Sequence, residues 1–362
     1  MLRFSIEELI GVFIPMSLGY DQRLAVCVAE DRKSCEPALC ILLTSLCLFD
    51  SDIAMTVFYS EADRFFLDWA RNLDSERIAV RVAPLPGAYG WNVKPHALLQ
   101  LLKEGHPAVV WIDSDIITTK SIAATFFSLN HNTLLVTEEA LWGAPDDTNA
   151  HRARLWGFPI KRSFPFALNT AVMRVTQEHI PLLEKWKRLL EDSDYKRAQA
   201  QPWNRRPLHM IGDQDVLTAL LCSDEFSDIP VTILRRGSGI IQYFGLYGYT
   251  LAERAICLVH GMPVFIHSQG VKPWLVGGGT RSTNLRRWIE AVYLDLSPYT
   301  LAASGLALAD ATSWTRSRSA VGALLRKLGL GYAPLVGLPI AAASDLARLV
   351  KKSIRYLGIH PR

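Results

Sequence analysis

The chain has no run of about 20 apolar residues, so no segment of it reads as a transmembrane helix. Its partly apolar start is interrupted by Glu7 and Glu8, and no small-residue cleavage site follows. A secretory signal is therefore not expected. None of the six cysteines (Cys27, Cys35, Cys40, Cys47, Cys222 and Cys257) forms a CxxC pair, and most lie in apolar runs. Buried reduced thiols in a cytosolic protein are expected, in preference to disulfides. The first apolar strand is not followed by G-x-G-x-x-G, and Gly277-Gly278-Gly279 lies at the wrong end of the chain. That argues against a nicotinamide or flavin oxidoreductase. The net charge of +4 is too mild to suggest nucleic acid, and no recognised nucleic-acid module accompanies it. No internal repeat is visible.

What is present is 362 residues, 49% hydrophobic and 20% charged. That is enough for one large α/β domain with an appendage, or for two domains. Apolar, β-branched runs at 24–29, 53–59, 78–83, 108–112 and 133–137 alternate with stretches of helical character. Pro37 can open one helix, Ser60 with Asp63 can cap the next, and Gly105 can end the one that begins at Lys94-Pro95-His96. The alternation predicts a mainly parallel sheet with helices on both faces. A strand over 166–175 is expected to be interrupted at Asn169 and Thr170. Residues 138–165 and 192–207 are expected as irregular loops, the first long enough to be functional.

The central stretch is Ala108-Val-Val-Trp-Ile-Asp113-Ser114-Asp115. Five apolar residues fit a strand buried on both faces, and ligands of open α/β sheets sit at the strands' carboxyl ends. A period of two projects Asp113 and Asp115 to the same side. Two adjacent carboxylates suit a hard divalent cation; alternatively they are turn residues bonding their own backbone. His267, in the turn His267-Ser-Gln-Gly270-Val-Lys272-Pro-Trp274, could complete a mixed carboxylate and imidazole site that suits manganese. Lys272 could neutralise a phosphate oxygen. A structural histidine and a surface lysine are the alternatives. Asp213 and Asp215 also have a role at a helix start, where the dipole favours carboxylates.

Asp113-Ser-Asp115 after a strand, Asn169-Thr-Ala-Val-Met, Asp213-Gln-Asp215 and His267 through Lys272-Pro-Trp274 occur in this order. Together they resemble the glycogenin-like retaining glycosyltransferases, a family that includes bacterial lipopolysaccharide glycosyltransferases and has the GT-A fold. The resemblance covers about residues 24–280. Here only Val271 separates Gly270 from Lys272, where the family usually has two residues. The resemblance implies that Asp113, Asp115 and His267 hold Mn²⁺, with Mg²⁺ as the alternative ion. It further implies that Lys94, Asp113, Gly270 and Lys272 contact the nucleotide diphosphate of a UDP-sugar donor. Asn169, Asp213 and Gln214 would face the transferred hexose, and the acceptor would be a glycan or a lipid-linked glycan. An inverting transferase with Glu138 or Glu139 as base is one alternative, and a non-catalytic nucleotide-binding membrane adaptor is another. Of the loop after the first strand only Asp31 stands out, and a plain surface role suits it best.

The catalytic domain is expected over 1–288 and a helical basic extension over 289–362. From Thr312 to Arg362 nine Lys and Arg residues stand against Asp345 alone, a net of +8. Ser344 can cap a helix that Gly358 ends, with Leu346, Leu349, Val350, Ile354 and Leu357 on one face and basic residues on the other. A basic amphipathic helix reads as binding an anionic membrane surface; the alternative is a helix packed on the catalytic domain. The apolar, Gly- and Pro-broken stretch 328–343 could lie in a membrane interface. A cytoplasmic location is expected, with peripheral attachment to the membrane's inner face.

Overall fold

The computed structural model describes residues 24–88, 90–139, 148–244, 248–270, 272–275, 291–292, 294–306, 313–315, 319–328 and 333–356. The lead-in at 1–22, the glycine run at 277–279, the boundary at 288 and Gly358 lie outside the described residues.

The amino-terminal half alternates as expected. The order is β1 (Leu24–Glu30), α1 (Glu36–Phe49), β2 (Ala54–Tyr59), α2 (Arg64–Asp74), β3 (Ile78–Arg81), α3 (Val93–Lys103) and β4 (Ala108–Ile112). Then come β5 (Ile116–Thr118), α4 (Ala123–Phe127), β6 (Leu134–Glu138), α5 (Thr148–Leu155), β7 (Leu168–Thr176), α6 (Ile180–Leu190), α7 (Ser193–Gln199) and α8 (Asp213–Cys222). β8 (Val231–Leu234), β9 (Ile240–Gln242), α9 (Leu251–His260) and β10 (Phe265–His267) complete the part around the site. Local chemistry sets the boundaries. Asp63 accepts from the Phe66 amide as the cap of α2, and Gly105, at φ +98°, ends α3 in a conformation that favours glycine.

Seven strands form one sheet in the order β3-β2-β1-β4-β7-β6-β8. All pairs are parallel except the two made by β7, which runs antiparallel to both neighbours. Helices cover both faces. Alternate residues of β4 show it: Val109 and Trp111 pack with Leu98, Trp186 and Leu217, while Val110 and Ile112 pack with Leu39, Leu42 and Phe66. Each such aliphatic side chain contributes about 1.5–3 kcal/mol on burial. The mainly parallel α/β sheet with helices on both faces is therefore present.

Four local expectations need correction. β7 runs through Asn169 and Thr170 without a break; the irregularity is instead in its pairing with β6, where β7 advances from Arg174 to Asn169 while β6 advances only from Leu135 to Thr137. The segments expected to be irregular each hold a helix, α5 and α7. α5 forms despite its polar composition because Arg152 and Asn149 are buried against α8 and its flanks. A second sheet, β5-β10-β9, was not foreseen; its strands have only three residues each, too few to show a period.

Beyond the sheet, Trp274, Tyr299 and Trp314 pack against one another at centroid separations of 5.6–6.2 Å. A last helix, Leu338–Tyr356, passes through Ser344 and is not capped by it. Leu346, Leu349 and Val350 on this helix are exposed. Ala333 and Val336, before it, and Ala341, in its first turn, are buried. Buried Arg254 donates to the carbonyls of Ala333, Pro334 and Val336. Asp345 also accepts from the Leu251 amide at the start of α9, at 2.9 Å. Residues 333–337 of the 328–343 stretch are thus packed on the body, while Leu328, Ala342 and Ala343 are exposed. Among the described residues no helix is long and apolar enough to cross a membrane.

Candidate active site

The site forms where β4 runs out. Asp113 and Asp115 are not in the strand. They flank a tight turn closed by the Ile116 amide on the Asp113 carbonyl at 3.2 Å, so a turn, and not a strand period, brings them together. Ser114, between them, points away and donates to Glu30 at 2.5 Å. The second sheet then supplies the third group. β10 pairs antiparallel with β5, with His267 opposite Ile116. That register sets the imidazole beside Asp115, with Nε2 3.3 Å from Oδ1. One ligand atom from each of Asp113, Asp115 and His267 falls within 4.8 Å of the others. Two hard oxygens and one imidazole nitrogen form a donor set that fits manganese or magnesium.

The tautomer of His267 is set from behind. Gln242 donates its amide nitrogen to the Glu138 carbonyl, so its oxygen faces His267 Nδ1 at 3.1 Å. That gives Nδ1 the role of donor to Gln242 and turns Nε2 toward Asp115.

Two lysines counter the carboxylates. Lys94, at the start of α3, is only 8% exposed. Its ammonium lies 3.0 Å from Asp113 Oδ1, 3.5 Å from Asp213 Oδ2 and 2.8 Å from Thr170 Oγ1. The Thr170 hydroxyl in turn donates to Asp213 at 2.8 Å. Burial opposes the lysine's charge, but the two carboxylates outweigh it and raise its pKa. Burial likewise pushes Asp113 up against the pull of Lys94. Lys272 bonds to Asp115 Oδ2 and, at 2.7 Å, to the Ser268 carbonyl. Burial raises Asp115, yet His267 and Lys272 together hold it well below the usual carboxylate range.

The expected residues therefore converge. Asn169, from β7, donates its Nδ2 to Gln214 Oε1 at 3.1 Å, and Gln214 follows Asp213 at the start of α8. Asp213 and Asp215 divide the two roles open to them. Asp213 faces Lys94, while Asp215 accepts from the Gly212 amide at 3.0 Å and from Arg152 Nε at 2.8 Å as the helix's buried anchor. Gly270 has a structural reason of its own. A Cβ there would lie 2.8 Å from Phe244 Cβ, and its N–H is donated to the Tyr243 carbonyl at 3.3 Å. Exposed Asp31 makes only local contacts, a backbone bond to Glu30 and a 4.0 Å ion pair with Arg32. The residue that matters at that strand end is Glu30, which is buried and holds Ser114 and Arg32. Glu30, Gln242, Gln269 and Arg152 were not foreseen, and Glu139 was considered only as a base. Gln269 lies within the His267–Trp274 turn, but the others belong to no motif, and only the fold brings them in.

No protein-family model and no curated protein matches this sequence. Similar solved structures do exist. The bifunctional WbbM is 12% identical, with a TM-score of 0.49 over 71% of this chain and 47% of its own. The galactosyltransferase LgtC, solved with donor and acceptor sugar analogues, is 13% identical, with a TM-score of 0.46 over 78% of this chain and 96% of its own. GlyE of Streptococcus pneumoniae is 14% identical, with a TM-score of 0.42 over 78% and 62%. All three are glycosyltransferases. The chain spans about half the length of WbbM.

Proposed function

We propose that this chain is a GT-A glycosyltransferase that moves a hexose from a UDP-sugar to a glycan or lipid-linked acceptor, with retention of configuration. The observation that carries the reading is the meeting of Asp113, Asp115 and His267 within 4.8 Å, with Lys94 and Lys272 bonded to the same two carboxylates. Acid and base in this ratio at the ends of sheet strands suit a divalent ion together with a diphosphate. Asp113, Asp115 and His267 would hold Mn²⁺ or Mg²⁺. That ion, when bound, supplies Lewis-acid stabilisation of the charge on the departing UDP.

The protein's own residues do the rest. Lys272 turns from Asp115 to a phosphate oxygen, and Lys94 balances the charge of Asp113 and Asp213 beside it. Gly270 lets the Lys272 turn pass close to Phe244 and so reach the diphosphate. Asp213 and Asn169 bind hydroxyls of the hexose. Gln214 stands near the anomeric carbon, where a carboxamide is a poor nucleophile. The acceptor hydroxyl therefore attacks from the face that UDP leaves: its oxygen bonds to the anomeric carbon as the bond to UDP breaks, and its proton passes to the departing phosphate.

Retention is further supported by the surroundings of the two candidate bases. Glu138 is bonded to Arg235 at 2.7 Å, and Glu139 is enclosed by carboxamide donors. The basic last helix, with Leu346, Leu349 and Val350 exposed, would hold the enzyme at an anionic membrane surface on the cytoplasmic side.

Calorimetry of UDP with Mn²⁺, Mg²⁺ or EDTA, on wild type and Asp115→Ala, tests the reading. The expected result is micromolar, Mn²⁺-dependent binding that the variant loses. A folded wild type that binds no UDP under any condition would sink it. A UDP-hexose panel and the product's anomeric configuration then fix the donor and the stereochemistry.

A further inference from the structure

Glu139 lies just past β6 and is 2% exposed. Three carboxamides from three different elements turn their nitrogens toward it. Asn169 Nδ2 of β7 donates to Oε2 at 2.6 Å, and Gln214 Nε2 of α8 donates to the same oxygen at 2.7 Å. Gln269 Nε2, two residues after His267, lies 3.1 Å from Oε1 and 3.3 Å from Oε2. Two of the amides, those of Gln214 and Asn169, are fixed at their other ends too. Gln214 Oε1 takes the Asn169 N–H, and Asn169 Oδ1 accepts from the Ala171 amide at 2.7 Å.

A carboxamide has two nearly isosteric ends, and turning it over exchanges donor for acceptor at little steric cost. A carboxylate only accepts. It therefore dictates which end of each amide faces it, which no neutral side chain of similar shape can do. Burying a charge is an expensive way to fill space, and a purely structural anchor for these amides could have used backbone carbonyls.

We propose that Glu139 is a positioning residue that sets the carboxamide orientation of Gln214 and Asn169, and so the hydrogen-bond pattern offered to the transferred sugar. It touches no substrate itself. Through Gln269 it also ties the His267–Lys272 turn to the sugar side of the site. This inference rests on the glycosyltransferase reading, in which Asn169 and Gln214 face the hexose.

The isosteric Glu139→Gln variant replaces one acceptor oxygen by an NH₂ group. At least one of the three N–H donors then meets another donor, and an amide must turn over. UDP is held by other residues, so its affinity should stay within about twofold of wild type. UDP-glucose or UDP-galactose, whichever the wild type prefers, should bind about tenfold more weakly, and kcat should fall about 100-fold, the range seen when the support of a reacting group is lost. Glu139→Asp keeps an acceptor-only group and should recover most of that loss. It also serves as the test should Glu139→Gln not fold.

Calorimetry with UDP and with the UDP-hexose, alongside transfer rates, separates the cases. Equal losses of UDP and UDP-hexose affinity, or an unchanged kcat in folded Glu139→Gln, would overturn the positioning role while leaving the nucleotide-sugar site intact. Absence of UDP binding by the wild type would instead overturn that site, and this inference with it.

Discussion

Replacing Lys94 with methionine removes a charge and keeps most of the volume. In the structure that ammonium lies 3.0 Å from Asp113 and 3.5 Å from Asp213, and its side chain is only 10% exposed. At an effective dielectric of about 20, each contact has a gross Coulomb energy of roughly 5 kcal/mol, before the cost of burying the charges. Desolvation cancels much of that, but the loss does not restore the cost for the carboxylates left behind. Breaking a buried pair by removing one partner typically destabilises by about 3–5 kcal/mol. At about 2 °C per kcal/mol for a large domain, Lys94→Met should lower Tm by about 6–10 °C. Calorimetry in 50 mM and 500 mM NaCl is the appropriate assay, since salt screens buried pairs far less than surface ones. A drop below about 2 °C, or one that vanishes in high salt, would refute the burial argument and make Lys94 an ordinary surface lysine.

Two further outcomes follow from other parts of the molecule. His179 is buried, accepts from the Thr176 amide at 3.0 Å, and is lowered from 6.5 to about 4 by burial and by Arg174. The unfolded chain therefore binds the proton first: this stability is complete above about pH 7 and falls away as pH drops toward 4, with about 2 kcal/mol lost by pH 5. Urea unfolding at pH 7.5 and pH 5 should show that slope, and His179→Gln should flatten it; identical slopes would dismiss the assignment. The last helix should sediment the protein with vesicles containing anionic lipid and not with neutral ones, at about 1 kcal/mol per basic residue near the surface, and truncation after Gly337 should abolish this. Equal sedimentation with both vesicle types would refute it.

The sheet was legible because its strands are apolar runs, and punctuation such as Asp63 and Gly105 acts locally. The carboxylate pair, His267 and Lys272 were legible because they sit in short motifs. Lys94 was ambiguous: sequence places it at a helix start, but its burial depends on Asp213, which is 119 residues away in the chain. Glu139 illustrates the limit. Its donors come from positions 169, 214 and 269, each with a separate fold-level reason for being there, so no spacing records their meeting. The antiparallel register of β5 and β10 carries the same lesson, since three-residue strands show no period. Ser344 misled because a good capping residue is also tolerated inside a helix whose start is set by packing at Ala333 and Val336.

The indole of Trp111 donates to Asp113 Oδ1 at 2.7 Å, and its ring lies 5.6 Å from the Lys94 ammonium. One chromophore is thus wired to both charges at the centre of the site. Its emission is sensitive to the local field, so any cation or phosphate that redistributes charge between Asp113 and Lys94 should shift its spectrum. The chain has ten tryptophans, and subtracting the signal of Trp111→Phe would isolate this one. The protein carries its own optical sensor for occupancy, readable without a labelled ligand and before any substrate is known.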